Sequence, residues 1–223
     1  MRIYQNEKVA NNFSIKRILT FSPWVFLFWI PAIVLLLWVR WQHIDHPWIF
    51  LLDTNTAADV PTYYGLVSNI GIICWSAAVA ICFFSGMLYR KVYLQPQLAQ
   101  SYFTAGTITF FLLMDDAFMF HEAVFPHLFG IDEKVIHFLY IVLVSYWLYK
   151  YFYILVQQSV LLLLLAFAFL GVSMLGDSLD LYNTFDGGYF IEDGLKFLGI
   201  VTWLAYFSMD AYQRIAQYAS SNT

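Results

Sequence analysis

Six long apolar blocks separated by short polar runs organise this chain: 18–39, 62–89, 101–125, 134–155, 160–181 and 190–212. A helix needs about 20 predominantly apolar residues to cross a hydrocarbon layer ~30 Å thick, and each block meets that length. The pattern predicts an all-α polytopic bundle of six transmembrane helices. Its organisation would be an N-terminal arm (1–17), one six-helix domain (18–215) and a short polar tail (216–223). The first block is too long for a signal peptide, contains Pro31 and lacks an Ala-x-Ala cleavage site. Pro61 precedes the second block and Pro126 follows the third, as expected of residues that start and stop helices.

Arg2, Lys8, Lys16 and Arg17 precede the first block, Arg90 and Lys91 end the second, Lys150 is late in the fourth, and Arg214 follows the sixth. The positive-inside rule then puts both termini in the cytoplasm. The segment 41–61 has no Lys or Arg and carries Trp41, Trp48 and Phe50, which suits an interfacial segment on the outer surface.

Composition agrees with the pattern. Of the 223 residues, 61% are hydrophobic and 12% charged, about half the charge fraction of a soluble domain. A multi-pass protein of the cell membrane is implied, and the charge bias fits a bacterial inner membrane. The formal net charge of -4 comes with no basic patch, which argues against a nucleic-acid partner. Cys74 and Cys82 lie eight residues apart in one block, about 12 Å along a helix, too far to pair.

The topology exposes a second asymmetry. Eight of the eleven basic residues fall on the cytoplasmic side, but thirteen of the fifteen acidic residues and all five histidines fall in the outer half or outer loops. The positive-inside rule says little about acids. The concentration of carboxylates and imidazoles on one side therefore points to a site.

Its centre is the stretch 110–126, FFLLMDDAFMFHEAVFP, which carries Asp115, Asp116, His121 and Glu122 inside an apolar block. Ionised groups near the centre of a membrane helix cost about 2.5–3.5 kcal/mol each on insertion scales, and are functional by default. On an unbroken helix Asp115 and Glu122 lie within about 20° of one another, while Asp116 and His121 point ~100° to either side. Neighbouring blocks supply partners: His137 early in the fourth, Asp177 and Asp180 late in the fifth, Glu192 and Asp193 opening the sixth. Lys196 stands four residues after Glu192, the spacing of a helical ion pair, and Asn69 sits at similar depth in the second block.

Carboxylates and imidazoles converging in a partly dry pocket suit a divalent metal, Zn or Mn. Asp116, His121, His137 and Asp177 are the candidate ligands. Asp115 or Glu122 is the candidate general base, and Asp180, Glu192, Asp193, Lys196 and Asn69 are the candidate supporting residues. A metal offsets the burial of several carboxylates and lowers the pKa of water toward ~7. The expected activity is metal-dependent hydrolysis of a lipid or lipid-linked substrate from the outer leaflet.

Two other classes use the same residues. A proton or divalent-cation transporter would need a polar route to the cytoplasm, for which the inner halves of the helices offer little. A non-catalytic subunit or sensor would use the polar groups to hold a partner helix. The structural alternative is that Asp115 and Asp116 pair with Lys196, or with Tyr and Asn groups, and fix helix register.

Some local strings carry no chemistry in this context. His121-Glu122 is not H-E-x-x-H, because Phe125 stands four after His121. Gly176-Asp177-Ser178-Leu179 spells a soluble-lipase string, but it lies near a membrane-helix end with no preceding strand. Lys196 differs from a retinal Schiff-base lysine in lying near the surface of a six-helix protein. In style, outer-half His and Asp in a small helical protein resemble the seven-helix zinc hydrolases of the alkaline ceramidase and adiponectin-receptor type. The last block here has no histidine, so the paired H-x-x-x-H of their last helix is absent and no residue is carried over.

Overall fold

The computed structural model describes residues 58–179 and 188–221, with isolated positions 30, 33, 34, 37, 38, 41 and 55 before them. Met1–Tyr64 and Gly65–Thr223 form separate compact units. In the first, the described positions from Ile30 to Trp41 are helical. The arm and most of the first expected span and of segment 41–61 lie outside the described residues.

Among the described residues the second unit has six α-helices and one π-helical turn: α1 (Leu66–Lys91), α2 (Pro96–Phe118), a π-turn (Phe120–Val124), α3 (Phe125–Phe129), α4 (Glu133–Leu155), α5 (Val160–Ser178) and α6 (Gly188–Ser221). The class is all-α, as the apolar blocks predict. Three helices, α1, α4 and α5, are long and apolar enough to cross a membrane. A fourth crossing results if α2 and the segment Phe120–Phe129, bent by 64°, form one span. These are the features of a multi-pass membrane protein.

The helix ends follow local chemistry. The second block begins as a turn because the Asn55 side chain donates to the carbonyls of Thr62 and Tyr64 at 3.1 and 3.0 Å. The helix starts only after Gly65, whose φ of 69° is left-handed. Arg90 and Lys91 occupy the last turn of α1, where cations suit the helix dipole. α2 starts five residues before the expected Ser101 because Pro96 sits at the helix start, where its missing N–H costs nothing. Asp132 caps α4, accepting from the Lys134 N–H at 2.8 Å. α6 runs nine residues past the expected end at Tyr212.

The third block differs most from expectation. It is not one helix ending at Pro126. α2 stops at Met119, which has φ 53° and ψ 44°, and the chain restarts as the π-turn. Pro126 lies at the start of α3, and Gly130 ends that helix with φ 65°.

Close approaches at glycines hold neighbouring helices together. A Cβ on Gly106 of α2 would stand 3.1 Å from the Cβ of Cys82 in α1. One on Gly199 of α6 would stand 2.6 Å from Leu170 Cγ and 3.0 Å from the Leu170 backbone nitrogen in α5. Small residues let backbones approach where helices lack a hydrophobic drive to associate. α4 packs more sparsely and is held by Trp147, which is fully buried and donates through Nε1 to the Ser101 carbonyl of α2 at 3.2 Å. Trp147 also faces Trp203 of α6, with ring centroids 5.8 Å apart. Trp203 donates to Thr109 Oγ1 at 3.0 Å, so both indoles have their polar atom satisfied.

A buried polar cluster lies toward the C-terminal half of α6. Asp210 Oδ2 accepts from Tyr102 Oη at 2.5 Å and from Arg214 Nε at 2.9 Å. Arg214 also donates to the Ile154 carbonyl at 2.6 Å and to Gln157 Oε1 at 3.2 Å. This fork joins α2, α6 and the turn after α4. The Asp210–Arg214 spacing of four was visible in the sequence, but nothing there marked the pair as buried.

Candidate functional site

The break at Met119 creates the site. Its π-turn places His121 beside Asp115, six residues earlier, a pair that an unbroken helix would turn ~120° apart. Asp115 Oδ1 accepts the His121 backbone N–H at 2.8 Å, and Oδ2 faces His121 Nδ1 at 2.6 Å. A carboxylate only accepts, so Nδ1 carries a proton toward Asp115, while Nε2 points to a second carboxylate, that of Glu122. Both residues are buried.

His137, in the second turn of α4, comes alongside, with the two imidazole centroids 4.9 Å apart. Its Nδ1 lies 3.1 Å from Ser178 Oγ at the end of α5. Asp177 completes the group: one potential ligand atom from each of His121, His137 and Asp177 lies within 4.8 Å of the others. Three segments distant in sequence thus deliver two imidazoles and a carboxylate to one point. Glu122 follows His121 with Oε1 3.3 Å from its Nε2, and keeps about half of its side chain exposed.

These residues line a cavity of about 350 Å³. Asp115, Asp116, His121, Glu122, His137, Asp177, Glu192 and Lys196 face one part of it, and side chains including Leu112, Phe167 and Trp203 line the rest. The polar groups sit where α2 and α5 end and α4 and α6 begin, at the opposite end of α6 from Arg214.

Asp116 was expected among the ligands. It instead stands 2.5 Å from Lys196 Nζ, with only 9% of its side chain exposed. The helical spacing predicted Glu192 as the partner of Lys196, but the lysine reaches across to α2, the pairing that the structural alternative gave for Asp116. Asp115, a candidate base, has both oxygens engaged by His121. Glu192 lines the cavity, and its backbone carbonyl accepts from Ser173 Oγ at 3.1 Å. Asp193 and Asn69 are exposed and do not line the cavity, and Asp180 lies outside the described residues. Ser178 was not expected at the site. Its position at the exit of α5, one residue after a candidate ligand, was the available signal.

A family model described as a domain of unknown function (DUF8692) matches residues 24–209, and the chain belongs to that family. No curated protein and no solved structure matches the chain.

Proposed function

We propose that this protein is a metal-dependent membrane enzyme that hydrolyses a lipid or lipid-linked substrate. The observation that carries the reading is the meeting of His121, His137 and Asp177 in one cavity. Two imidazoles and one carboxylate are the protein ligands of an open catalytic zinc site, and Mn accepts the same set. The donor chemistry fits, because each imidazole has a partner at Nδ1 that orients the ring, and the ion would take His121 Nε2 in place of its contact with Glu122. A divalent ion there supplies a Lewis acid and lowers the pKa of water.

The chain's own residues divide the remaining work. Asp115 orients His121. Glu122 is next to the ligand group, half-exposed and able to take a proton as general base. Lys196 and Asp116 offset each other's charge, and Lys196 keeps about a third of its side chain exposed, within reach of an anionic group on the substrate. Ser178 orients His137; it does not line the cavity, which argues against a nucleophilic role despite its contact with an imidazole. By the positive-inside rule the site opens on the extracytoplasmic side.

Transport has weaker support. Among the described residues Trp75, Leu148, Phe167 and Trp203 line the cavity, and Asp210 does not.

The test is turnover of ester- and amide-linked amphiphiles by Zn- or Mn-loaded protein. Glu122→Gln should lower kcat by at least a hundredfold while metal content stays unchanged. Equal turnover by wild type and Glu122→Gln would remove Glu122 as the base. No turnover of any amphiphile by metal-loaded wild type would remove the hydrolase reading.

A further inference from the structure

We propose that the apolar part of the cavity is a binding arm for the hydrocarbon chain of a single-chain lipid, and that Gly171 sets the chain length it accepts. This names the substrate class of the proposed enzyme and rests on that reading for what happens at the polar end. The cavity is amphiphilic: the ligand group and Glu122 mark one end, Leu112 and Val144 line the wall beyond it, and Leu148, Phe167 and Trp203, ten or eleven residues along their helices from Asp177, His137 or Glu192, lie deepest. On α4 the lining runs from His137 to Leu148, and on α6 from Glu192 to Trp203. Each is a drop of about 16 Å along a helix. A small polar substrate would leave most of that wall uncovered. At about 350 Å³ the cavity is near the small end of ligand pockets, which run roughly 300–1,000 Å³, so it suits one chain rather than two.

Gly171 lies six residues before Asp177 on α5, about 9 Å along the helix from that carboxylate. It lines the cavity, and a Cβ built on it would meet no atom within 4 Å. Gly199, by contrast, is held against Leu170. The lack of a side chain at 171 therefore serves no helix–helix contact among the described residues, and we assign the open space to the arm that Gly171 lines. A larger residue would project into that space part-way along and shorten the arm, its Cβ meeting no neighbour within 4 Å. Each methylene buried in such an arm should raise affinity about fourfold until the arm is full.

Monoacylglycerols with a chain-terminal diazirine test this, in C8 and C16 forms, with protein in nanodiscs. After irradiation, labelled residues are located by mass spectrometry, and exposed Leu161 and Leu165, on the side of α5 away from Gly171, provide the background. In wild type the C16 probe should label Leu148, Phe167 or Trp203 at least fivefold above that background. Gly171→Leu should cut this labelling at least fivefold and leave C8 labelling within twofold. Wild-type labelling at the background level would overturn the arm. Unchanged C16 labelling in Gly171→Leu would overturn the length limit. If that variant does not fold, Gly171→Val serves in its place, and the wild-type labelling map still decides the arm. The labelling is run with and without EDTA. A labelled arm in protein that binds no metal would leave the arm standing and remove the metal reading. An unlabelled arm in metal-loaded protein would do the reverse.

Discussion

Asp115 holds His121 at two points, its backbone N–H at 2.8 Å and its ring Nδ1 at 2.6 Å. One carboxylate thereby occupies a donor exposed by the helix break and sets the imidazole tautomer. Asp115→Asn should keep the fold but weaken Zn binding by about 10–100-fold, the usual effect of removing a partner that orients a ligand. Chelator competition measures this, and unchanged affinity would assign Asp115 to the backbone alone.

Lys196 and Asp116 form an ion pair across α6 and α2. Lys196→Met leaves a carboxylate with 9% exposure unpaired, at a cost of about 1–3 kcal/mol. The double variant Lys196→Met/Asp116→Asn should recover most of that loss, because neither partner is then stranded. Thermal unfolding in detergent reads both. An additive double variant would show that the two residues are not coupled.

Arg214 and Asp210 are both buried, far from the ligand group. From Lys196 to Asp210 is about 21 Å along α6. Arg214→Met should cost about 3–5 kcal/mol by stranding Asp210, and metal content of the folded fraction should not change. Loss of metal from folded Arg214→Met would reveal a coupling between the ends of the bundle.

Gly199→Val should separate α5 from α6, since its Cβ would stand 3.0 Å from the Leu170 backbone nitrogen. Overpacking of this kind costs about 1–3 kcal/mol. Because α5 carries the ligand Asp177, metal affinity should fall with stability. A stable variant with full affinity would show that the helices tolerate the shift.

Much of this was legible in the chain. Apolar length marked α1, α4 and α5, and the crowding of acids and histidines near 115–122, 137 and 177 located the cluster. Asp116 illustrates what spacing leaves open: both a ligand role and a pair with Lys196 were readable, and Lys196 had two carboxylates to choose from, Glu192 by helical spacing and Asp116 on another helix. The break at Met119 was not legible either. No Gly or Pro stands there, and the left-handed backbone is stabilised by a side chain four residues earlier and a ring two residues later. Without the break, the rotation of His121 away from Asp115 follows correctly from helix geometry and gives the wrong neighbours. Gly171 and Gly199 look alike in sequence, and only the facing atoms separate them.

The most direct measurement is elemental analysis of the purified protein after loading with Zn or Mn, for wild type, His121→Ala, Asp177→Ala and Asp116→Ala. Expected is about one ion per chain in wild type, lost in His121→Ala and Asp177→Ala and kept in Asp116→Ala. No ion in wild type, or an ion retained by both His121→Ala and Asp177→Ala, would contradict a metal centre built from His121, His137 and Asp177.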